Sequence, residues 1–551
     1  MTLTFVKVHY ERKEDIMQPN FTVLAMDIST IEVIIIYVFA YFFDILKSVN
    51  DVVNEFVWVK VGLLLLIGTG ILMTVLTNFF QITHLRHWVK KTMGGIFKKD
   101  AHNKKEAGSV SQFQAMCTAL AATIGTGNIA GVSAAIVLGG PGAVFWMWIA
   151  AFFGMMTNFS ENVLGIYYRK RNKDGEWSGG AMYYLKEGLA KKPGYEWIGK
   201  TLAVLFSLFA IFASFGIGNM GQVNKITLNL NSAFFSQFEE LKILGFIPLT
   251  SFFIGLGLLI VSALIILGGL KRIAAVAEKV VPFMALAYLL GAIIIILVNF
   301  TEIIPAILSI FRFAFGIKAV GGAAAGIMIK TVITQGCKRG VFSNEAGLGS
   351  SVMVHCNSNV KEPVKQGLWG IFEVFADTMV VCTITALVVL TSGYINLDTG
   401  LAAEGVDDAT LVAKAFSNIF GPAGEMFVAI SLLLFAFTTV LGWSHYGSKA
   451  VEFLFGKFGI VASKIYRVIF VLMIMSGALM TSSLAWDISD TFNGMMMIPN
   501  LIGVLTLSPT VVTITRNYVQ RKIKGKDIAP VLSNYEDIQE EMAKAVAEGK
   551  E

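Results

Sequence analysis

The chain has 551 residues, of which 55% are hydrophobic and only 15% are charged, and its mean hydropathy is +0.67. A soluble domain carries about 25% charged residues, whereas many apolar runs here approach the ~20 residues that cross a bilayer as a helix. The composition therefore excludes an ordinary soluble protein and predicts an all-α polytopic membrane protein. The net charge of +6 does not indicate a nucleic-acid partner, because Lys and Arg residues lie mainly in the loops between apolar runs.

The first segment, residues 1–54, is predicted to be an N-terminal extension. Its apolar run, Val33–Phe43, is only 11 residues long and is bracketed by Glu32 and Asp44. A helix of that length rises about 16 Å and is too short for ~30 Å of hydrocarbon. We therefore favour an interfacial helix here over a membrane span.

The transmembrane domain is predicted over residues 55–515 and holds about eleven transmembrane helices. A polar tail, 516–551, follows, and we expect a frayed helix within it. The eleven spans lie near 57–80, 111–138, 142–168, 198–220, 250–269, 281–300, 321–354, 366–391, 416–446, 466–484 and 489–513.

Basic residues follow alternate spans. Loops 81–110 and 169–196 are rich in Lys and Arg, and further clusters occur at Lys271–Arg272, near 449–467 and in the tail. Lys and Arg are enriched in cytoplasmic loops, so we expect this side, including the C-terminus, to be cytoplasmic. The protein is then a multi-pass protein of the cell membrane.

The second span contains a break that points to a binding site. Its sequence, IGTGNIAG at Ile124–Gly131, places Gly-Thr-Gly-Asn inside an apolar run. Irregular backbone at membrane depth is tolerated only where it is buried in protein or lines a cavity, and broken helices of this kind form the binding sites of secondary transporters. Glycines that only allow close helix packing are the alternative.

A short repeat relates the two halves of the domain. Asn128–Ala135 (NIAGVSAA) is echoed by Asn344–Ser351 (NEAGLGSS), five spans later. An odd number of steps reverses the direction across the membrane, so the second half, about 321–513, is predicted to be inverted relative to the first, about 111–300. Inverted repeats with broken helices at corresponding positions place a substrate site at their interface.

The motifs in order resemble those of the sodium:alanine symporter family. They include GTGNIAG (125–131), GGPGAVFWMWIAAFFG (139–154), RGVFSNEAGLGSS (339–351), QGLWGIFEVFADT (366–378) and FAFTTVLGWSHYG (435–447). The resemblance implies the leucine-transporter fold: a five-plus-five inverted repeat with broken first and sixth core helices, preceded by an extra N-terminal helix. Departures from the family pattern include Lys338 and Ser351–Val352.

The first break is the strongest candidate for the site. The N-terminus of a half-helix offers amide donors and a favourable dipole to a carboxylate, so Thr126, Gly127 and Asn128 are predicted to bind the substrate. The superfamily resemblance implies that the carbonyls of Ala121 and Ile124 face a sodium ion. It also implies that the adjacent hydroxyls of Thr438 and Thr439 complete that site; hydroxyls that bond their own helix carbonyls are the alternative.

Other polar residues near the predicted breaks are candidates for the substrate pocket. We expect the sixth core helix to break at Gln335–Gly340, with Ser343 and Asn344 beginning its second half. Asn219 and Gln222 contact the substrate or form interhelical hydrogen bonds, and Trp443 caps the pocket or packs. The substrate-binding candidates are Thr126, Gly127, Asn128, Asn219, Gln222, Gln335, Ser343, Asn344 and Trp443.

Charged residues inside spans are functional candidates by default. Glu161, Glu373 and Asp377 lie at depth, and Arg339 and Glu345 flank the expected sixth-helix break. They serve gating or cation coupling, or they form structural ion pairs within the bundle. We favour the ion pairs.

The resemblance implies a sodium-coupled symporter that imports L-alanine or glycine by alternating access. Another small neutral amino acid, or proton coupling, is the alternative within the same fold. A channel is less favoured because no filter sequence repeats. The chain has no nucleophile–base arrangement, metal-ligand spacing or cofactor motif, so we expect no enzyme and no cofactor. The expected partners are Na⁺, a small amino acid and the lipid bilayer.

Overall fold

The structure is a computed structural model that describes residues 44–96, 109–238, 241–243, 247–315, 329–406, 410–480 and 483–548, together with 8–9, 20–21 and 41. The chain divides into two compact units, Met1–Val53 and Asn54–Glu551. In the first unit, Val8–His9 pairs with Asn20–Phe21 as antiparallel strands. The predicted interfacial helix at Val33–Phe43 lies outside the described residues, Tyr41 excepted.

The described part of the second unit is a helical bundle in which seven helices, or eight if a bent pair is counted as one span, are long and apolar enough to cross a membrane. A leading helix, formed by Glu55–Gly62 and Leu63–Leu76, precedes ten core helices. In order these are Gln112–Thr123 with Ala130–Gly139, Gly142–Tyr167, Glu196–Phe234, Leu249–Ile266, Leu270–Val298, Ile329–Asn344 with Val352–His355, Pro363–Leu390, Pro422–Phe455, Gly459–Leu479 and Ser483–Thr506. The helical membrane fold and its order of spans agree with the prediction.

Several shorter elements connect the spans. The helices Phe80–Thr83 and Leu85–Lys91 follow the leading helix. A two-stranded hairpin, Lys170–Arg171 with Trp177–Ser178, follows core helix 2. Other short elements include the helices Ala181–Tyr184, Ile303–Ala314, Leu411–Phe420 and Glu536–Ala547, the strand pair Lys242–Ile243 with Ile247–Pro248, and the segment after core helix 10, formed by Ser508–Tyr518 and Val519–Ile523.

Core helices 1 and 6 are both interrupted. Core helix 1 stops at Thr123, and its chain passes through extended Ile124 and a 3₁₀ turn, Thr126–Asn128, before it resumes at Ala130. Core helix 6 stops at Asn344 and resumes at Val352. Two broken helices in corresponding positions, with one helix before them, give the predicted five-plus-five arrangement.

The expected position of the second break was wrong. Residues Gln335–Gly340 lie within a continuous helix, and Ser343 and Asn344 end its first half rather than beginning the second. The glycines of this stretch serve packing against core helix 2: a Cβ on Gly336 would lie 2.4 Å from the carbonyl oxygen of Ala143. The break instead follows Asn344, where Glu345 has a φ of 56°.

Three span boundaries also differ from the prediction. Core helix 5 begins at Leu270, not near 281, and contains Pro282 in its interior. Core helix 8 begins at Pro422, because Gly421, with a φ of 59°, ends the short helix before it. Core helix 9 covers Gly459–Leu479 rather than 466–484. The apolar composition predicted that each of these spans exists, but it did not predict where each span begins and ends.

The basic loops meet at one end of the bundle, which we call the basic face. His87, after the leading helix, hydrogen-bonds Tyr518 at 3.1 Å. Arg521 forms a two-point ion pair with Glu362, which precedes core helix 7, with both N–O distances at 2.8 Å. Lys449, near the end of core helix 8, donates to Ser178 of the hairpin at 3.3 Å. These contacts show that loops predicted to share one side of the membrane lie next to one another.

The tail is docked rather than frayed. Its helix, Glu536–Ala547, buries Ile538 and Met542 against Trp177 of the hairpin. Arg171 on the same hairpin pairs with Glu541 at 2.8 Å. The tail is polar overall, so its composition does not indicate this contact. The two buried apolar residues are four positions apart and therefore lie on the same face of the helix.

Candidate functional site

A small cavity lies between the first break and core helices 3, 6, 8 and 10. The space between its lining atoms, part of it open to solvent, amounts to about 270 Å³. The residues that line it are Ala122, Thr123, Gly125, Thr126, Gly127, Ile217, Gln222, Phe342, Glu345, Thr439, Trp443 and Asn493. Because both halves of the repeat contribute to its wall, the cavity occupies the position expected for a transporter binding site.

The backbone amides of the first break bind side chains of the break itself and of core helix 3. The amide of Gly125 donates to Asn128 Oδ1 at 2.9 Å, and the amide of Thr126 approaches Gln222 Oε1 at 3.5 Å. Asn128 turns toward core helix 7, where its Nδ2 donates to Asp377 Oδ1 at 2.6 Å. Thr126 and Gly127 therefore face the cavity, whereas the side chain of Asn128 fixes the turn behind it.

The two adjacent threonines of core helix 8 point in different directions. Thr439 Oγ1 lies 3.2 Å from the carbonyl of Ala121 and 3.1 Å from that of Phe435, and it lines the cavity. Thr438 Oγ1 bonds the carbonyl of Phe435 and contacts Met284 of core helix 5. The structure thus brings one of the two predicted hydroxyls to the break.

Gly125 allows this approach. A Cβ on Gly125 would lie 2.4 Å from Thr439 Oγ1, closer than side chains tolerate. The neighbouring residue Ile124 ends core helix 1 in an extended conformation, so its carbonyl leaves the helical direction. Oxygen atoms from core helices 1 and 8 therefore come together at the end of the first half-helix.

Core helix 3 contributes a wide, π-helical turn to the cavity, Gly216–Met220. Within it Gly218 packs directly on Trp443: a Cβ there would lie 2.4 Å from the Trp443 Cβ. Asn219 points away and donates to the carbonyl of Phe470 on core helix 9 at 2.6 Å, which is the interhelical bond considered above. Gln222, one turn further, lines the cavity.

Core helix 6 supplies Phe342 and Glu345 to the cavity. Ser343 contacts Cys382 Sγ at 3.3 Å, and Asn344 donates to Thr378 Oγ1 at 3.0 Å, so both face core helix 7. Gln335 lies two turns earlier, beside Gly139. These three predicted residues support the break or the helix packing rather than the cavity wall.

The favoured interpretation as ion pairs was wrong for Asp377 and Glu161 among the described residues, whereas Glu373 lies within ion-pair distance of His355. Asp377 accepts hydrogen bonds from Asn128 and, at 2.7 Å, from Thr378. Glu161 accepts from Asn500, which also donates to the carbonyl of Gly347 at 2.9 Å. Amide and hydroxyl groups are thus the hydrogen-bond donors to these two carboxylates, and Glu161 Oε2 has no partner among the described residues.

Glu373 lies beside a buried histidine. Gln366 accepts from Ser358 through Oε1 at 2.9 Å, and its amide nitrogen lies 2.6 Å from His355 Nδ1. His355 Nε2 lies 3.0 Å from Glu373 Oε2, and both side chains are fully buried. Polar contacts consequently link core helix 7 to the second half of core helix 6.

Arg339 and Glu345 were expected to pair, and among the described residues they do not. Glu345 accepts from Ser350 at 2.6 Å and lines the cavity. Arg339 lines a larger neighbouring cavity of about 980 Å³, which shares Thr126 and Phe342 with the smaller one. The break begins five residues beyond the expected stretch, and this separates the two charges.

Seven wall residues were not predicted as site residues: Ala122, Thr123, Gly125, Ile217, Phe342, Glu345 and Asn493. Asn493 carried a signal, because it is a polar residue inside the last apolar span and is only 1% exposed. Ile217 and Phe342 carried none, since an apolar residue in an apolar helix does not show which neighbour it faces.

Comparison with known proteins identifies relatives over most of the chain. The sodium/alanine symporter AgcS of Methanococcus maripaludis is 45% identical over 88% of this chain and 100% of its own length. The probable sodium/glutamine symporter GlnT of Bacillus subtilis is 36% identical over 90% of this chain and 96% of its own. YrbD of Bacillus subtilis, a putative sodium/proton-dependent alanine carrier protein, is 35% identical over 88% and 94%.

A family profile described as the sodium:alanine symporter family matches residues 43–532. This range includes the leading helix, all ten core helices and the two breaks that bound the cavity. Together with relatives that align over nearly their whole length, the match shows that this chain is a multi-pass membrane protein that belongs to the sodium:alanine symporter family.

Proposed function

We propose that the protein is a sodium-coupled symporter that imports L-alanine or glycine by alternating access. The observation that carries the proposal is the cavity of about 270 Å³ at the first break, lined by backbone of the broken helix and by Thr439 and Glu345. Its wall brings together donors for a carboxylate, an acceptor for an ammonium group and oxygens suited to Na⁺.

The proposed substrate pose follows from the charges of the wall. The amides of Thr126 and Gly127 lie in the 3₁₀ turn that precedes the second half of core helix 1, near the end of that half-helix at which the helix dipole favours an anion. We place the substrate carboxylate there. The buried Glu345 carboxylate lies on the same wall and would receive the ammonium group, because an ammonium without acceptors is costly to bury.

The apolar wall sets the proposed size limit. Trp443, Phe342 and Ile217 line the cavity, and Trp443 is only 1% exposed. A side chain the size of a methyl group or smaller fits this space more readily than an extended polar one. This favours alanine or glycine over glutamine, the substrate named for one relative.

For the ion, we propose a sodium site made by the carbonyls of Ala121 and Ile124 and the hydroxyl of Thr439. Na⁺ is a hard cation that prefers oxygen ligands, and Thr439 Oγ1 lies 3.2 Å from the Ala121 carbonyl. Thr438 was also predicted as a ligand and would have to change rotamer to join them. Proton coupling is the alternative within the family, since a relative is named as sodium/proton-dependent.

The test is uptake of labelled L-alanine into proteoliposomes that contain the purified full-length protein. We expect accumulation with an inward Na⁺ gradient and none with K⁺ in its place. Accumulation driven equally well by a proton gradient without Na⁺ would contradict the proposed ion. Unlabelled glycine should compete and glutamine should not; strong competition by glutamine would contradict the proposed size limit.

A further inference from the structure

A third cavity lies at the basic face, away from the proposed transport site. It has a volume of about 540 Å³ and lies between the end of the leading helix and the segment after core helix 10. Its apolar wall includes Leu76, Phe80, Val512 and Val519. Its polar wall includes Thr77, Asn78, His84, Thr515, Arg516, Gln520 and Lys524.

The polar wall carries positive charge without a compensating carboxylate. No ion pair joins Arg516 or Lys524 to an acidic residue in the part of the chain that the structure describes. The acidic residue on the neighbouring segment, Glu362, uses both of its oxygens on Arg521. The cavity wall therefore includes two basic side chains, Arg516 and Lys524, whose N–H groups can donate hydrogen bonds to a ligand.

Two histidines lie near the cavity. Partial burial, and then the charge of Lys524, hold the pKa of His84 below its ordinary value. Burial also lowers the pKa of His87, with smaller contributions from Lys91, His84 and Lys90. Burial is the main cause of both shifts, and nearby cations add to it.

The neighbouring helices present an apolar surface beside the cavity. Phe79, Ile82 and Leu85 are 43%, 55% and 51% exposed, whereas Phe80 and Trp88 on the opposite side are buried. Exposed apolar residues beside basic ones are typical of helices that lie in the bilayer interface. The cavity thus lies beside an apolar surface of the kind that faces the bilayer interface.

The turn that shapes the cavity wall is conformationally unusual. Asn78 and Phe79 both have positive φ values, 56° and 53°, a conformation that is uncommon for a residue as bulky as phenylalanine. The turn ends the leading helix and lets the chain reverse into Phe80–Thr83, with the Phe80 ring stacked on His84 at 4.5 Å. Strained backbone of this kind is often retained at binding sites.

We propose that this cavity binds the phosphate group of an anionic phospholipid from the surrounding bilayer. Arg516 and Lys524 would hold the phosphate oxygens, since guanidinium groups bind phosphate through two parallel hydrogen bonds and ammonium groups bind it as point charges. The acyl chains would lie against the apolar surface that includes Phe79 and Ile82. Basic pockets between membrane helices bind anionic lipid headgroups in this way.

The test is native mass spectrometry of the full-length protein titrated with phosphatidylglycerol and, separately, with phosphatidylcholine. We expect phosphatidylglycerol to bind at least about tenfold more tightly. The double variant Arg516→Gln/Lys524→Gln should lose most of this preference, and Arg516→Lys should keep it. The matched control, Lys457→Gln/Lys464→Gln, also removes two exposed charges near the basic face and should bind as the unaltered protein does.

Equal loss in the control and in the cavity variant would overturn the proposal, because attraction to the whole surface would then explain the binding. An unchanged preference in Arg516→Gln/Lys524→Gln would overturn it as well. Inorganic phosphate is added as a competitor, because it resembles the lipid headgroup but has no acyl chains. If millimolar phosphate displaces phosphatidylglycerol from the protein, a free phosphate and not a lipid is the ligand, and the proposed source is wrong.

Discussion

Trp443 packs against Gly218 of core helix 3, a residue that has no side chain. A Cβ on Gly218 would lie 2.4 Å from the Trp443 Cβ, so Gly218→Ala must push the ring toward the cavity or the helices apart. Overpacking of this kind costs about 1–3 kcal/mol, and we expect alanine uptake to fall about tenfold or more. Gly257→Ala is the control, because a Cβ there meets no atom within 4 Å and should leave uptake unchanged.

The two threonines of core helix 8 allow a direct test of the sodium proposal. Thr439→Ala removes the hydroxyl beside the Ala121 carbonyl, and we expect the Na⁺ concentration for half-maximal uptake to rise about tenfold, since a lost oxygen ligand is worth about 1.5 kcal/mol. Thr438→Ala removes a hydroxyl that contacts Met284 and should change this midpoint much less. The measurement is uptake as a function of Na⁺; equal effects of both changes would contradict the assignment.

Single residues of the cavity were predictable where their chemistry was unusual for a membrane helix. Thr126, Gly127 and Gln222 stood out as polar or glycine residues in apolar runs, and all three line the cavity. Asn219 stood out equally and instead bonds core helix 9. Residue type identifies a polar group that needs a partner, but only the packing of the helices decides whether that partner is a substrate or a neighbouring carbonyl.

At the scale of elements, the first break was predictable and the position of the second was not. Gly125 and Gly127 of Gly-Thr-Gly-Asn lie in the break and allow the close approach of other helices there, whereas Gly336 lies within a continuous helix and is needed for contact with core helix 2. The actual second break contains Glu345, Gly347 and Gly349, all with positive φ. Two glycines there supply left-handed backbone at low cost, and the repeat Asn344–Ser351 already marked this stretch.

The tail helix offers an element-scale prediction. Ile538 and Met542 pack on Trp177, so Ile538→Asp places a carboxylate in an apolar contact and should release the helix. We expect limited proteolysis of the tail to become several-fold faster. Glu540→Gln alters an exposed position on the same helix and should not accelerate cleavage; equal rates in the two variants would show that the helix is not held by this contact.

On the scale of the whole molecule, orientation in the membrane follows from where the basic loops meet. Lys and Arg favour the cytoplasmic side, so an exposed cysteine at Lys457 should be protected in intact cells from a membrane-impermeant maleimide. A cysteine at Thr399, in the loop before core helix 8, should be labelled. The four native cysteines are buried and give a low background. The opposite labelling pattern would show that the orientation is reversed.

The wide turn at Gly216–Met220 has a consequence for how the length of core helix 3 can change. A π-helical turn holds one residue more than an α-helical turn, so the chain there carries a residue that regular helix does not need. Deleting Ile217 would let the turn close as α-helix while Gln222 and the rest of the helix keep their direction. The same deletion elsewhere in the helix would rotate everything beyond it by about 100°. Among sequences that share this fold, one-residue gaps should therefore collect at this turn.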